Sequence, residues 1–361
     1  MRILLAGTLA LVSTSVPALA QSSELAAPCG RAEVPDSARD LCYTVAQAVE
    51  SAQPQLGILI AGGNPTLGTA TMGGLNVPGL PRVNASAQVN VVFARLPDIL
   101  AETAGGAAQQ INEAVGLPAP ALSGTIALGL FPGFSLAPTV GGIGSLDVLG
   151  TATWLPLKAF EVDGFRENSA DIAFGGGVRI GILGESFTLP GISLSGMYRR
   201  LEDVSYGNVC NAPSPTLSEE SAGYRFDYGP CLSDGDPGEF SFDLTNWSGR
   251  AVVSKSFLGM GLSGGLGYDR FESAVAYGFR TPPDAVPGGG DYFVRATGID
   301  IDNDRWSAFV DGSFSLFLAT LAVEAGWLQG DDPITGFDTA VSEFDPGDGT
   351  FFGSVGMRLS F

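Results

Sequence analysis

Residues Phe351–Phe361 read FFGSVGMRLSF, and this C-terminal segment gives the clearest indication of the fold. Its odd-numbered positions are apolar or glycine, whereas the even-numbered ones from Ser354 onward are serine, glycine or arginine. Successive side chains of a β-strand point to opposite faces of a sheet, so a period of two residues indicates a strand. The end of the chain therefore predicts a strand with one apolar face and one face of small or polar side chains.

The same alternation recurs upstream, in Ile172–Ile182, Arg305–Leu316 and Leu321–Trp327. The polar face of these segments is mostly glycine, serine and alanine with a sparse charge, whereas a soluble antiparallel sheet turns a polar face to water. A strand of about ten residues crosses a bilayer at a tilt, and small side chains suit the crowded interior of a closed barrel. The pattern favours a transmembrane barrel, and a half-buried soluble sheet is the alternative.

Aromatic residues near the ends of the predicted strands are typical of the girdles that flank the lipid-facing band of such a barrel. An ordinary aromatic core is the other interpretation of the same positions. The residues are Trp154, Tyr198, Tyr268, Tyr277, Trp306 and Trp327.

The composition excludes several other classes of protein. The chain has 361 residues, of which 45% are hydrophobic and only 16% charged, with 51 glycines, no histidine and a formal net charge of −20. A nucleic-acid-binding protein needs a basic face, which this acidic excess does not supply, and histidine chemistry is impossible. Residues 51–81 and 114–146 carry no charge, but both are rich in proline and glycine. Because proline breaks helices, these segments do not predict helical membrane spans.

The N-terminus has the three regions of a secretory signal peptide. Met1–Arg2 is positively charged, Ile3–Val12 is apolar, and Ala18-Leu-Ala20 provides small residues at the expected cleavage site before Gln21. The apolar run is about half the length that a membrane-spanning helix needs. We therefore expect residues 1–20 to be removed on export.

All four cysteines lie in the exported part of the chain. An even number of cysteines in such a protein predicts disulfide bonds, and four cysteines allow three pairings. We expect the local pairing, Cys29–Cys42 and Cys210–Cys231, because it closes the shortest loops. A zinc site is disfavoured, since the chain has no histidine and no CxxC motif.

Together, the signal peptide, the alternating strands and the ending Met357-Arg-Leu-Ser-Phe361 resemble the bacterial outer-membrane β-barrel proteins. The resemblance covers about Val83 to Phe361 and assigns no subfamily. The chain is distantly similar either to the fatty-acid transporters, which have an N-terminal plug, or to the small OmpA/OmpX-type barrels. It implies insertion into outer-membrane lipid, with Phe361 as part of the signal read by the barrel-insertion machinery. It does not imply a substrate, because this architecture serves many functions.

The predicted fold is an all-β, antiparallel, up-and-down transmembrane barrel of about ten strands, or twelve if residues 54–80 add a pair. Its connections alternate between tight turns and long acidic loops, and outer-membrane barrels have short periplasmic turns and long external loops. We therefore expect both the N- and the C-terminus in the periplasm. The predicted strands are 83–94, 122–131, 146–157, 170–183, 187–200, 239–256, 260–279, 303–317, 319–329 and 350–361.

The segment ahead of the barrel has its own pattern. Residues Pro35–Gln53 predict a helix, which the Cys29–Cys42 bond would staple into a small knob. Leu56–Pro81 is interpreted as a linker, a first strand or a plug entering the lumen. We thus expect a periplasmic N-terminal segment over 21–81 and a barrel over 82–361.

Charged residues on the inward face of the predicted strands are the main candidate functional residues. A charge inside a barrel is paired or faces water. These residues therefore form either a structural salt-bridge network or the lining of a restricted path. They are Arg179, Arg199, Asp311, Glu324 and Arg358.

A weaker candidate is a calcium site at Asp300, Asp302 and Asp304, which have the D-x-D-x-D spacing of calcium-binding loops. Arg305 replaces the expected turn glycine, and no glutamate follows at the twelfth position of the loop. Solvated acidic loops explain the same residues. Apart from calcium, the sequence predicts no cofactor.

No arrangement of residues in the sequence resembles a catalytic site, so we expect no enzyme activity. The leading interpretation is a small outer-membrane pore or uptake channel, with a small solute as partner and apolar compounds as one candidate class. The alternative is a non-conducting structural or adhesive barrel that displays acidic external loops. A secreted soluble β protein is a third interpretation, and none of the three involves nucleic acid.

Overall fold

The computed structural model describes residues 25–31, 34, 36–71, 82–97, 113–114, 118–137, 140–156, 171–211, 217–221, 223–281, 291–331 and 347–361. The predicted signal peptide, residues 1–20, lies outside these residues. The N-terminal part contains a 3-10 helix, Ala27–Gly30, and a long helix α1, Asp36–Ala61. None of the described helices is long and apolar enough to cross a membrane.

Fourteen strands follow along the described chain. Their bounds are β1 Arg82–Phe93, β2 Leu96–Pro97, β3 Glu113–Ala114, β4 Pro118–Phe131, β5 Ser145–Trp154, β6 Ile172–Leu183, β7 Gly191–Gly207, β8 Leu217–Ser221, β9 Tyr224–Pro230, β10 Gly238–Phe257, β11 Met260–Thr281, β12 Tyr292–Leu316, β13 Ala319–Leu328 and β14 Thr350–Ser360.

Ten of these strands close into an antiparallel barrel, in the order β1, β4, β5, β6, β7, β10, β11, β12, β13, β14 and back to β1. The closing pair places Val89 opposite Val355. Closure leaves no unpaired sheet edge, which lipid could not satisfy with hydrogen bonds. The predicted ten-stranded, up-and-down barrel is confirmed. The extra strand pair considered for 54–80 is absent from its described part, because residues 54–61 belong to α1.

The two ends of the barrel differ. We call one end the turn mouth: it contains the tight turns at Leu258–Gly259 and Phe317, and also Phe361. We call the other end the loop mouth: there Gly207, Gly238 and Thr281 end or begin the longest strands. Leu258 and Phe317 adopt positive φ values of 51° and 54°, which the tight turns require. The connection after β6 runs over 184–190 and is longer than the predicted tight turn.

The outer face of the barrel is apolar. Leu262, Val310 and Val355 are each more than half exposed. Their neighbours along each strand point inward, and most of these are buried or partly buried. Each tryptophan lies about ten residues along its strand from the turn mouth, and a tilted strand crosses the bilayer core in about 9–11 residues. The tryptophans therefore form a girdle near the loop-mouth interface. They are Trp154, Trp247, Trp306 and Trp327.

Beyond this girdle the barrel continues as a taller wall on one side. β7, β10, β11 and β12 extend past it, and the hairpin β8–β9 pairs with the start of β12, where Ala296 lies opposite Phe226. This hairpin lies in the region expected to be an irregular loop. Tyr277 belongs to this wall and is buried inside it, not placed in the lipid-facing girdle.

The N-terminal segment lies inside the barrel: the described part of Leu56–Pro81 enters the lumen, as in the plug interpretation, and the helix expected to form a small knob ahead of the barrel lies inside as well. The Tyr277 hydroxyl donates to the Leu25 carbonyl near the loop mouth, at 2.6 Å, while the Ser313 hydroxyl donates to the Gly68 carbonyl near the turn mouth, at 3.3 Å. Leu25 and Phe361 consequently lie at opposite mouths. They cannot both face the periplasm, as the sequence had led us to expect for the two ends.

Helix α1 is longer than predicted. The pattern predicted an end near Gln53, because proline at 54 removes a backbone donor and normally ends a helix. The structure continues through Pro54 to Ala61. The surrounding barrel explains this, since nearly every residue of this part of α1 is buried against the wall. We call residues 36–71, which comprise α1 and the loop after it, the plug.

Candidate functional site

The loop-mouth half of the interior is an apolar core. Here Val45 and Val49 of α1 belong to one buried cluster with Phe271, Tyr277 and other aromatic residues of the tall wall. Burying an apolar side chain of this size contributes about 1.5–3 kcal/mol. The first part of the plug is therefore held firmly by dry packing.

A disulfide bond and a cation–π contact fix the start of the plug. The predicted bond Cys29–Cys42 is confirmed. The Arg31 guanidinium lies 4.8 Å from the centre of the Phe226 ring and forms a 3.6 Å ion pair with Glu219. These contacts connect the N-terminal segment to the β8–β9 hairpin.

The second predicted disulfide is not formed, because Cys210 and Cys231 are both free thiols. The Cys231 thiol donates to the Val209 carbonyl at 3.5 Å and packs with Val209 and Phe293, beside the Cys210 thiol. Burial, with a further contribution from the neighbouring Cys210, raises the pKa of Cys231 to about 12. Both thiols lie in the loop-mouth region, beyond the tryptophan girdle.

The turn-mouth half of the interior is polar and binds the C-terminal end of α1. Helix ends leave main-chain carbonyls without partners and carry partial negative charge. Here the wall supplies the donors: Asn90 donates to the Leu59 carbonyl at 3.0 Å, and Arg199 to the Ala61 carbonyl at 3.3 Å. Arg250 donates to the carbonyls of both Gly62 and Gly63, at 3.1 and 2.9 Å. Two buried arginines thus complement the negative end of the helix.

Two opposing carboxylates bind the next residues of the plug. Glu324 accepts hydrogen bonds from the main-chain N–H groups of Gly63 and Asn64, at 3.0 and 2.6 Å. The Asn64 side chain donates to Asp311 at 2.9 Å. A Cβ atom on residue 63 would lie 2.6 Å from Glu324 and 2.7 Å from Phe309, so this close approach requires glycine.

The rest of the loop is held by two arginines. Arg179 donates to the Thr66 hydroxyl and forms a 2.9 Å ion pair with Asp147. Arg358 donates to the Leu67 carbonyl at 2.7 Å. Both guanidinium groups are buried, and so is Asp147.

The five predicted lumen charges all lie inside the barrel, and each contacts the plug. We call the wall residues Arg179, Arg199, Arg250, Asp311, Glu324 and Arg358 the clamp. Sequence reasoning missed Arg250, together with its partner Asp269, which accepts from it at 2.9 Å. The alternation of β10 would have found Arg250, because it shares the inward parity of Ser248 and Ser254.

The three aspartates of the candidate calcium site lie in β12, not in a loop. Because alternate residues of a strand are spaced along one face, their carboxylates do not converge on one point. Asp302 pairs instead with Arg270 of β11. The described residues contain no group of three carboxylates or cysteines arranged to bind a metal ion. Calcium binding therefore stays a prediction.

Phe361 lies at the turn mouth, where its main chain exchanges hydrogen bonds with Val83 at 2.9 and 3.2 Å. Its side chain is half exposed. This places the end of the chain beside the start of β1. Recognition of Phe361 by insertion machinery stays a prediction.

A closed antiparallel barrel with an apolar outer face, a tryptophan girdle and a polar interior is a transmembrane β-barrel of the bacterial outer-membrane type. Neither a protein-family model nor a curated protein matches the sequence. Among solved structures, the chain is similar to the outer-membrane protease OmpT of Escherichia coli, with 10% identity, 81% of this chain and 99% of that chain covered, and a TM-score of 0.33.

Two further solved structures are similar to the chain, again with low identity and a low TM-score. The translocator domain of the autotransporter NalP from Neisseria meningitidis has 12% identity, covers 87% of this chain and 96% of its own, and gives a TM-score of 0.31. A FadL homologue from Pseudomonas aeruginosa has 8% identity, with coverages of 84% and 97% and a TM-score of 0.25. Values this low carry no conclusion about what the chain does.

Proposed function

We propose that this protein is a gated outer-membrane channel that its own plug keeps closed at rest. The observation that supports this function is the clamp: buried charges of the barrel wall take main-chain groups of the plug as partners. Burying charges is costly, and well-packed apolar residues of similar size stabilise an interior at least as well. Charges on a barrel wall are useful when water reaches them. The clamp residues would line an aqueous path once the plug withdraws.

The two parts of the plug suggest how opening takes place. The first turns of α1 lie in the apolar core of the loop-mouth half, while residues 62–71 have no regular secondary structure and are held by hydrogen bonds. Water can replace these hydrogen bonds, each of which contributes about 1.5–3 kcal/mol net when its wall partner is charged, whereas it cannot replace apolar packing. Opening therefore starts at the turn mouth, with the loop 62–71 and the last turn of α1.

The expected orientation follows from the connections. Long connections of outer-membrane barrels lie outside the cell and short turns lie in the periplasm. The loop mouth is then external, and Phe361 is periplasmic. The plug enters from outside and ends in the periplasm, so the segment before α1 is external, contrary to the periplasmic location that the sequence suggested.

The solute expected for such a channel is small and polar. The clamp and its partners Asp147 and Asp269 carry charges of both signs. A wall of this kind keeps water in the path, which suits ions and small polar molecules. An apolar compound would have to displace the water that solvates these charges. We therefore replace the apolar solute class with a polar one. The absence of enzyme activity stays a prediction.

A second candidate function is a non-conducting structural or adhesive barrel that displays acidic external loops. The observation that favours it is the apolar core of the loop-mouth half, where Phe226, Phe271 and Tyr277 are almost fully buried. Withdrawal of α1 from this core would expose a large apolar surface. If α1 never moves, the barrel is a sealed anchor.

Conductance in a planar bilayer tests the channel directly, and a disulfide lock provides the contrast. A Cβ atom on Gly191 would lie 2.7 Å from the Thr71 side chain, so the double variant Thr71→Cys/Gly191→Cys joins the plug to β7 at the turn mouth. We expect discrete steps from the wild type under applied voltage and none from the oxidised variant. A reductant should restore the steps in the variant.

The wild type with and without reductant is the control for reduction of Cys29–Cys42. Heat-modifiable gel mobility verifies that each variant is a folded barrel. If neither the wild type nor the reduced variant conducts, the channel is excluded and the sealed anchor is supported. Steps that persist in the oxidised variant would show that the plug does not gate.

A further inference from the structure

Two buried arginines of the clamp converge on consecutive residues of the plug. Arg179 of β6 donates to the Thr66 hydroxyl, and Arg358 of β14 donates to the Leu67 carbonyl at 2.7 Å. The two guanidinium groups reach this point from different parts of the wall, since β1, β4 and β5 lie between β6 and β14. Their positive charges are near enough to repel each other. In the closed barrel, two neutral oxygen atoms of the plug are what both groups contact.

Both guanidinium groups have hydrogen-bonding capacity that the plug does not use. Within the part of the chain that the structure describes, Nη2 of Arg179 and Nε of Arg358 are buried without a hydrogen-bond partner. The two residues are only 2% and 7% exposed, so these N–H groups are also shielded from bulk water. A buried charged donor without a partner is costly. The plug is therefore an incomplete partner for this pair of arginines.

The wall pairs only one of these two charges. A single row across four strands runs from Arg82 through Gly129 and Asp147 to Arg179, and Asp147 forms its ion pair with Arg179 at 2.9 Å. A Cβ atom on residue 129 would lie 3.3 Å from Asp147 and 3.6 Å from Nε of Arg82. Arg82 therefore brings a third positive charge to this row, and its charge reaches Arg179.

Two other carboxylates, Asp311 and Glu185, attract Arg358 from a distance, and both have partners elsewhere. Asp311 accepts from the Ser263 hydroxyl at 2.6 Å, and Glu185 accepts from the Ser254 hydroxyl at 3.0 Å. Among the described residues, neither these carboxylates nor any other forms an ion pair with Arg358. Arg358 thus keeps a buried positive charge whose partner in the closed barrel is a main-chain carbonyl.

We propose that Arg179 and Arg358 form a binding site for one small oxyanion, with inorganic phosphate as the probe. Its oxygen atoms replace the Thr66 hydroxyl and the Leu67 carbonyl, which occupy the two arginines in the closed barrel. An oxyanion is charged and can accept two parallel hydrogen bonds from a guanidinium, so it uses the donors that the plug leaves unpaired. Because the anion and the loop 62–71 compete, binding releases the loop. The inference rests on the proposed function and deepens it, since it names the class of ligand that opens the plug.

Hydrogen exchange of the full-length protein in detergent tests the competition. Exchange is compared in sodium phosphate and in sodium chloride of equal ionic strength, because both salts screen charges to the same extent. Isothermal titration calorimetry supplies the dissociation constant, and we expect one phosphate per chain. At about ten times that constant most chains hold phosphate with the loop released, so exchange of residues 62–71 should increase at least about tenfold over chloride. The barrel strands should exchange equally in both salts.

Two variants remove the site in different ways. Arg358→Gln removes one charge and keeps a donor for the Leu67 carbonyl, so phosphate should bind about tenfold or more weakly and no longer speed exchange. Arg179→Gln/Asp147→Asn removes both members of the ion pair, so that no buried charge is left alone, and should have the same effect. If one variant fails to fold, the other still tests the site.

Arg199→Gln is the matched control. Arg199 is also a buried arginine that donates to a plug carbonyl, that of Ala61, but it does not contact residues 66–67. Its loop should exchange faster than the wild-type loop in chloride, and phosphate should still accelerate this exchange further.

The remaining outcomes would overturn the proposal. Equal exchange in phosphate and chloride, or phosphate binding that leaves the loop protected, would show that the anion does not compete with the plug. An undiminished response in both site variants would place phosphate elsewhere. None of these measurements depends on conductance. A barrel that conducts but ignores phosphate would therefore refute this inference alone, whereas one that releases its loop in phosphate and never conducts would refute the channel and leave the site.

Discussion

Asp311 of β12 lies directly opposite Glu324 of β13, and both carboxylates are buried against the same plug residue, Asn64. Like charges opposite each other destabilise a strand pair. The plug brings N–H donors between them, from Gly63 and from the main chain and side chain of Asn64, and the wall adds the hydroxyls of Ser263 and Ser354. The barrel wall and the plug are therefore complementary at this point, and each leaves polar groups unsatisfied without the other.

Glu324→Ala should loosen the plug without unfolding the barrel. It leaves the buried N–H groups of Gly63 and Asn64 without an acceptor, at a cost of about 1–3 kcal/mol for each group. Hydrogen exchange should show lower protection for residues 62–66, while the barrel strands keep theirs. Glu272→Ala, which removes an exposed carboxylate from the outer face, is the control. Unchanged protection of 62–66 in Glu324→Ala would mean that the loop is held without the carboxylate.

Arg250→Met should destabilise the folded barrel strongly. Arg250 is the partner of Asp269, which is fully buried, and breaking a buried ion pair from one side costs roughly 3–5 kcal/mol. Urea unfolding followed by heat-modifiable mobility should show a lower midpoint. The double variant Arg250→Met/Asp269→Leu should recover much of this loss, because no unpaired charge remains. A double variant as unstable as the single one would contradict this account.

The ten barrel strands were predictable because each carries its own signal, an alternation of two residues that depends on nothing distant, whereas the hairpin β8–β9 was missed. The same alternation predicted that charged side chains such as that of Arg358 point inward, and it would have predicted this for Arg250 too. The position of α1 was not predictable, since a helical period does not indicate whether the helix lies beside a barrel or inside it. The continuation through Pro54 and the free Cys210 depend on surroundings that only the folded chain provides.

Removal of the N-terminal disulfide should release the start of the plug. Cys29 and Cys42 are separated by 13 positions, and closing a loop of about 15 residues stabilises a fold by about 3 kcal/mol. In Cys29→Ala/Cys42→Ala we expect faster hydrogen exchange at the start of α1. Cys210→Ser/Cys231→Ser removes no covalent bond and should leave α1 unchanged. Equal effects of the two pairs would show that the bond itself contributes little.

Alkylation of Cys231 should depend on pH in a distinctive way. The thiolate is the reactive form, and burial raises the pKa of Cys231 to about 12, so very little thiolate exists at neutral pH. Burial is the largest cause of this shift and remains in Cys210→Ser, although the contribution of Cys210 is lost. The rate of alkylation by iodoacetamide in this variant should therefore still increase at pH values where an exposed cysteine, with a pKa of about 8.5, has reached its plateau. A plateau near pH 9 would show that Cys231 is not buried in solution.

Cysteine labelling of intact cells should establish the orientation of the barrel. Leu232, in the loop-mouth region, is 68% exposed, and Leu258, in a tight turn at the turn mouth, is 81% exposed. Because long connections of outer-membrane barrels are external, a membrane-impermeant maleimide should label Leu232→Cys but not Leu258→Cys in a Cys210→Ser/Cys231→Ser background. Both variants should react after the outer membrane is permeabilised, which controls for folding and exposure. Labelling of Leu258→Cys alone in intact cells would reverse the orientation, and the plug would then enter from the periplasm.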